Sequence, residues 1–195
     1  DMYGRRSILL TSMVFFLTGL ILSAVSTSMA FAIAARVILA LGQGALAPLC
    51  FSVLGDLFAP AERAKWSGML NLPAGIAATI APILGGMITE SSMGWRGLFW
   101  ITAPLVLITA GLIAAGVPGR QQKTEQKIDI LGIIVMVVAS ATLIFGFSWV
   151  GVPGKVGLGI GMIVVSIAAW IGFIMVEKKA EAPILDLQVL FNRTF

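Results

Sequence analysis

Six apolar stretches, each about as long as a helix must be to cross the hydrocarbon of a bilayer, take up most of this chain. They run over 8–26, 29–54, 67–88, 98–117, 130–150 and 156–176. A hydrocarbon core of about 30 Å takes about 20 residues as helix, and no water is present there to bond a stray peptide group. A helix satisfies every such group within its own segment, so the expected fold is an all-α membrane protein with six transmembrane helices. Composition agrees: 58% of the 195 residues are hydrophobic and only 11% are charged, against about 25% charged in an ordinary soluble domain. Too few polar groups are present to cover a water-soluble surface.

Charge then orients the spans. Arg5 and Arg6, Arg63 and Lys65, Arg120, Lys123 and Lys127, and Lys178, Lys179 and Arg193 all fall on one set of alternate links. The other set holds Arg96 and Lys155, and the thirteenth base, Arg36, lies inside a span. Basic links stay in the cytoplasm, so the first span runs outward and the sixth returns. The net charge of +4 is therefore an orientation signal, and no nucleic-acid partner is expected.

Several chemistries are excluded. The chain has no histidine, which removes histidine acid–base catalysis and zinc or haem ligation by histidine. Its one cysteine, Cys50, cannot form an internal disulfide and reads as a small apolar helix residue. There is no HExxH, no nucleophile with a histidine base and no phosphate loop, so no enzyme, metal site or bound cofactor is expected. Gly42-Gln43-Gly44-Ala45-Leu46-Ala47 matches a loose dinucleotide fingerprint. That motif needs a strand before it and a helix after it; inside one apolar span its glycines read as packing positions. Gly157, Gly159 and Gly161 read in the same way, as a close-contact face.

Arg36 is the most telling single residue. It lies about 10 Å into its span at 1.5 Å per residue. A charge near the bilayer centre costs on the order of 2.5–3.5 kcal/mol on insertion scales, and a guanidinium cannot shed its proton. Arg36 should therefore face a bundle interior or a wet cavity and meet a carboxylate or carbonyls, as a ligand or proton-relay group; the bland alternative is a snorkelling structural arginine. No intramembrane acid accompanies it, since Asp56 and Glu90 sit at span ends. The third span, with Pro73, Gly75, Pro82, Gly85 and Gly86, is expected to be broken. Asp1, Gly4, Arg5 and Arg6 make one cytoplasmic charge cluster and Glu62-Arg63 a second on the next cytoplasmic link. Such clusters suit a salt-bridged latch, because exposed pairs are worth only about 0–1 kcal/mol and reopen easily.

Taken together these residues resemble the major facilitator superfamily. Asp1-Met2-Tyr3-Gly4-Arg5-Arg6 is similar to the second half of its helix 2–3 loop motif, D-R/K-x-G-R-R/K, with Met2 as a departure. Arg36-Val37-Ile38-Leu39-Ala40-Leu41-Gly42 resembles the helix-4 motif R-x-x-Q-G-x-G, with Leu39 and Ala40 in place of Gln-Gly. Asp56-Leu57-Phe58, Pro60 and Glu62-Arg63 look like the helix 4–5 loop. Ala81-Pro82-Ile83-Leu84-Gly85-Gly86 resembles the helix-5 antiporter motif G-P-x-x-G-G, and Gly94-Trp95-Arg96 the start of helix 6. Asp129-Ile130-Leu131-Gly132, Pro183-Ile184-Leu185-Asp186-Leu187 and Phe191-Asn192-Arg193-Thr194-Phe195 look like the fourteen-helix drug:proton antiporter branch.

The resemblance implies a major facilitator fold in which 1–118 forms helices 3–6 of the N-terminal six-helix bundle. A cytoplasmic linker, 119–129, would lead to two additional transmembrane helices at 130–176. The segment 177–195 would be a cytoplasmic amphipathic stretch before a second bundle, or else a frayed end. Asn192-Arg193-Thr194 fits a glycosylation sequon but lies on the cytoplasmic side. On this reading the chain is a piece of a longer transporter. The implied activity is proton-coupled efflux of hydrophobic or cationic drugs by alternating access, in a bacterial plasma membrane, by a protein monomeric at full length. Its partners would be the lipid bilayer, the small-molecule substrate and protons, with the proton gradient as energy source. Asp1, Gly4, Arg5, Arg6, Glu62 and Arg63 would belong to the cytoplasmic gate. Arg36 would serve proton coupling or substrate response, and Pro82, Gly85 and Gly86 would shape helix 5. An uptake symporter for a sugar or organic acid stays open as an alternative, as does a non-transporting scaffold or sensor. A cavity richer in charges would favour the first and a long soluble appendage the second.

Overall fold

The computed structural model describes residues 4–117 and 129–178. These residues form six helices: α1 Arg5–Ala24, α2 Met29–Leu57, α3 Pro60–Glu90, α4 Arg96–Gly116, α5 Ile130–Val150 and α6 Val156–Glu177. Every one is long and apolar enough to cross a membrane, and no strand occurs among the described residues. The expected all-α class and the six spans are therefore present.

Local chemistry sets the starts of these helices. Gly4 precedes α1 at φ 77°, a left-handed conformation that glycine adopts without a Cβ penalty. Ser28 caps α2, its hydroxyl accepting the Phe31 N–H at 3.2 Å. Asp129 caps α5 in the same way through the Gly132 N–H at 2.9 Å. Pro60 opens α3 at the first helical position, where its missing N–H costs nothing, and Glu62 follows in the first turn, favourable to the helix dipole.

α3 differs from expectation. It is one continuous helix of 31 residues with Pro73 and Pro82 inside it, rather than a broken span over 67–88. Its first turns carry Glu62, Arg63 and Lys65, which depress hydropathy without opposing a helix, so the apolar stretch understates the element. The two prolines each remove one backbone donor but leave the helix running, as membrane helices tolerate when neighbouring groups take up the freed carbonyls.

The chain divides into two compact units, 1–124 and 125–195, and the division falls within the polar stretch 119–129. In the first unit α1 is central and packs on both α2 and α4. Met13, Leu20 and Ala24 of α1, Leu39 of α2, and Phe99 and Val106 of α4 form its apolar core. Two glycines allow α1 and α2 to touch backbone to backbone. A Cβ on Gly19 would lie 2.4 Å from the Leu39 nitrogen, and one on Gly42 would lie 2.4 Å from the Phe16 nitrogen. Gly44, grouped with Gly42 in the sequence, faces open space. α3 buries none of its residues among the described ones.

The second unit is the hairpin of α5 and α6, joined by a turn at Gly154, φ 83°. Gly159 packs so closely that its Cβ would fall 2.6 Å from the Val150 nitrogen, and Gly146 faces it with 3.1 Å to the Gly159 carbonyl. Gly157 and Gly161, expected to share that face, have nothing within 4 Å. The helix rotation puts only one residue of the three against α5. Deeper in the hairpin, Ser166 is fully buried and its hydroxyl donates to the Ala139 carbonyl at 2.7 Å.

Asp1, most of the 119–129 linker and nearly all of the 177–195 segment lie outside the described residues; Asp129, Glu177 and Lys178 are the exceptions.

Candidate functional site

The basic end of the first unit is built on helix termini. A helix leaves its last four carbonyls without internal partners and carries a partial negative charge there. Arg63 and Arg6 meet that need, and a third arginine, Arg5, reaches the end of α2 one turn further in. Arg63 donates to the Gly55 carbonyl at 2.8 Å and the Phe58 carbonyl at 3.2 Å, closing the end of α2. Arg6 donates to the Ala114 carbonyl at 2.6 Å in the last turn of α4. Arg5 donates to the Ser52 carbonyl at 2.9 Å and forms an ion pair with Asp56 in the last turn of α2.

Asp1 of the expected latch lies outside the described residues. Arg5 reaches across to Asp56, whereas Arg63 turns back on its own helix corner and Glu62 makes no ion pair among the described residues. In the sequence Asp56 is a span-end acid within the stretch that resembles the helix 4–5 loop. The signal that finds it is topological: α1 and α2 are antiparallel neighbours, so the first turn of α1 must lie beside the last turn of α2. The same corner is stiffened by Phe58 stacked on Trp66, ring centroids 4.5 Å apart.

At the opposite end, the outer one by the charge bias, a cavity of about 700 Å³ opens among α1, α2 and α4. Arg36 lines it, exposed on a wall that is almost wholly apolar and without the carboxylate or carbonyl partner expected of it among the described residues. Its guanidinium lies over the Phe99 ring, 5.1 Å from the centroid, and makes no ion pair or hydrogen bond among the described residues. Phe99 meets Trp95 edge to face at 5.9 Å, and Arg96 lies over Trp95 at 4.6 Å. Arg96 also donates to the Ser26 carbonyl at 2.6 Å, tying the start of α4 to the end of α1. A ladder of cation, ring, ring and cation therefore links Arg36 to the outer link; Phe99 and Trp95 were not singled out as contributors to it.

Pro82, Gly85 and Gly86 are not brought near either place. They lie on α3, where a Cβ on Gly85 or Gly86 would meet nothing within 4 Å, and the Gly85 and Gly86 carbonyls accept the Thr89 hydroxyl. No group of histidine, cysteine, aspartate or glutamate among the described residues could hold a metal ion.

Six helices long and apolar enough to cross a membrane, two pairs of them in close glycine contact, define a multi-pass helical membrane protein. The sequence model of the Major Facilitator Superfamily matches residues 1–175, and the chain belongs to that family. It is 34% identical over 198 residues to Multidrug resistance protein 3 of Bacillus subtilis (strain 168), covering 100% of this chain and 38% of that protein. It is 32% identical over 197 residues to Multidrug transporter protein MdtP of the same strain, covering 100% of this chain and 36% of that protein. Lincomycin resistance protein LmrB, also of that strain, is 31% identical over 181 residues, or 91% of this chain and 37% of its own length. The chain thus spans less than two fifths of the length of these relatives.

Proposed function

We propose that this chain is part of a secondary transporter that exports hydrophobic or cationic compounds in exchange for protons by alternating access. Arg36 carries the reading. A permanent cation held in a cavity at membrane depth, with no acid or hydrogen bond among the described residues, suits a group whose electrostatic partner changes during a cycle. The names of the relatives, two of them multidrug and one lincomycin resistance, support export as the direction. Residues 1–118 then supply helices 3–6 of one bundle and 130–176 an additional pair, with 177–195 leading to a second bundle. The whole protein works as a monomer in a bacterial plasma membrane, without a cofactor and without enzymatic chemistry, and the proton gradient supplies the energy.

In this scheme Asp1, Gly4, Arg5, Arg6, Glu62 and Arg63 belong to the cytoplasmic gate. The ion pair of Arg5 with Asp56 supports that role, being partly exposed on the acid side, at 45%, and so cheap to break. Pro82, Gly85 and Gly86 shape a helix face left free for a second bundle to slide against. Drug resistance in cells tests the proposal: Arg36→Ala at equal membrane expression should remove it. Resistance equal to that of the unaltered protein would overturn the role given to Arg36.

A further inference from the structure

Arg6 and Arg96 stand at the unfavourable ends of their own helices. Arg6 lies in the first turn of α1 and Arg96 is the first residue of α4. The partial positive charge of a helix start disfavours a cation there. Neither helix has an acid in that turn to offset it, and neither has a base in its own last turn. The carbonyls that end α1 and α4 therefore get no cation from their own helix.

Each helix supplies what the other lacks. Alternate spans run in opposite directions, so α1 and α4 are antiparallel and each begins beside the end of its neighbour. Arg6 donates to the Ala114 carbonyl, one of the last four of α4, at 2.6 Å. Arg96 donates to the Ser26 carbonyl, just past the end of α1, also at 2.6 Å. Both are charge-assisted bonds to the negative end of a helix. The same charges that weaken either helix alone favour the antiparallel pair.

Both bonds close in one register. α1 has 20 residues and α4 has 21, each about 30 Å long at 1.5 Å per residue. A slip of one helical turn, about 5.4 Å, would break both bonds at once. The outer bond is also held from the sides. The Arg96 guanidinium lies over the Trp95 ring, 4.6 Å from its centroid. Its acceptor residue Ser26 is buried, with the Ser26 hydroxyl bonded back to the Ser23 carbonyl at 2.8 Å. Between the two ends, Met13, Leu20 and Ala24 of α1 share one apolar core with Phe99 and Val106 of α4.

We infer that Arg6 and Arg96 are reciprocal end clamps that lock α1 and α4 into a single strut. α1 carries Ser23 and Ser26 in the wall of the outer cavity and Arg5, with its ion pair to Asp56, at the other end. The strut therefore spans from the cavity to that pair and keeps its register whether or not the pair is closed. The inference goes beyond efflux and does not depend on it, because its test reads distances alone.

The full-length protein that carries this chain would be purified with its native cysteines replaced. Nitroxide labels in place of Ser7 and Gly116 would report the inner end, and labels in place of Thr27 and Ser92 the outer end; all four positions are exposed. Electron paramagnetic resonance would give the distance distribution of each pair. With both clamps intact, each end should show one narrow distance. Arg96→Gln should broaden the outer distance and leave the inner one narrow, and Arg6→Gln should do the reverse. Lysine at either position keeps a cationic donor and should broaden that end less than glutamine does. Broadening of both ends alike by one variant, as general loosening would give, would overturn the inference, and so would no broadening by either. If a glutamine variant does not fold, the unaltered protein decides: a broad or two-peaked distance at either end would overturn the lock, and a single narrow one at both supports it. Drug export, present or absent, alters none of these readings.

Discussion

Arg5, the first residue of α1, and Asp56, in the last turn of α2, form an ion pair across the helix crossing, and Arg5 donates to the Ser52 carbonyl as well. The pair joins the start of α1 to the end of α2 at the basic end of the unit, which makes its strength a question of function. Asp56 is 45% exposed, and such pairs are typically worth about 0.2–1 kcal/mol. Asp56→Asn should therefore lower the thermal midpoint of the purified protein only slightly while changing the balance between inward- and outward-open states. Exchanging the charges, Arg5→Asp with Asp56→Arg, should restore transport partly relative to either single change. A double variant no better than the worse single one would show that the pair is not the element that matters.

Backbone contact between α1 and α2 rests on Gly19 and Gly42. Gly42→Val would drive its first carbon to 2.4 Å from the Phe16 nitrogen, an overpacking that typically costs about 1–3 kcal/mol and here has backbone on the other side. Gly44→Ala meets nothing within 4 Å and should be neutral. Detergent-solubilised yield and the midpoint of thermal aggregation measure both. Equal behaviour of the two variants would contradict the packing described.

The hairpin of α5 and α6 makes a parallel case. Gly159→Ala should loosen it, since its Cβ would lie 2.6 Å from the Val150 nitrogen, whereas Gly157→Ala should leave it unchanged. Ser166→Ala deletes the buried bond to the Ala139 carbonyl, and interhelical bonds of this kind in membranes average about 0.6 kcal/mol. Its effect on the thermal midpoint should therefore be clearly smaller than that of Gly159→Ala.

Phe99 holds Arg36 through its ring face. Contacts of this type are worth about 0.5–1 kcal/mol where the cation is exposed, as Arg36 is, though Phe99 itself is buried. Phe99→Leu keeps the apolar volume and removes the ring, so expression should hold while drug export falls. Phe99→Tyr keeps the ring and should keep export. Loss of export in both variants alike would point to packing instead of the ring.

The sequence was most legible where hydropathy and capping chemistry end at the same residue. The stretch 130–150 is α5, Ile130–Val150, because Asp129 caps it and a glycine turn follows. It was least legible where charge and helix coincide. The polar turns after Pro60 are helical, but no hydrophobic span includes them. Glycine roles divided for a geometric reason: which of several neighbouring glycines meets a partner depends on helix rotation, so Gly42 and Gly159 are contacts and Gly44, Gly157 and Gly161 are not. Arg36 was found from its charge alone, because a cation at that depth is costly anywhere. Its ring partner Phe99 was not, since one phenylalanine in an apolar span looks like any other. Arg5 and Asp56 are 51 positions apart in the chain, and their pairing needs the register of two antiparallel helices, which composition does not carry.

Export coupled to protons is the central claim, and proton flux tests it most directly. The full-length protein would be reconstituted in liposomes with an imposed proton gradient, and release of lumenal protons followed as lipophilic cations are added. The account predicts proton release that depends on the added cation and is lost in Arg36→Ala. Release driven by sugars or carboxylates, with none driven by any cation, would contradict it and place the protein among uptake symporters of the same family.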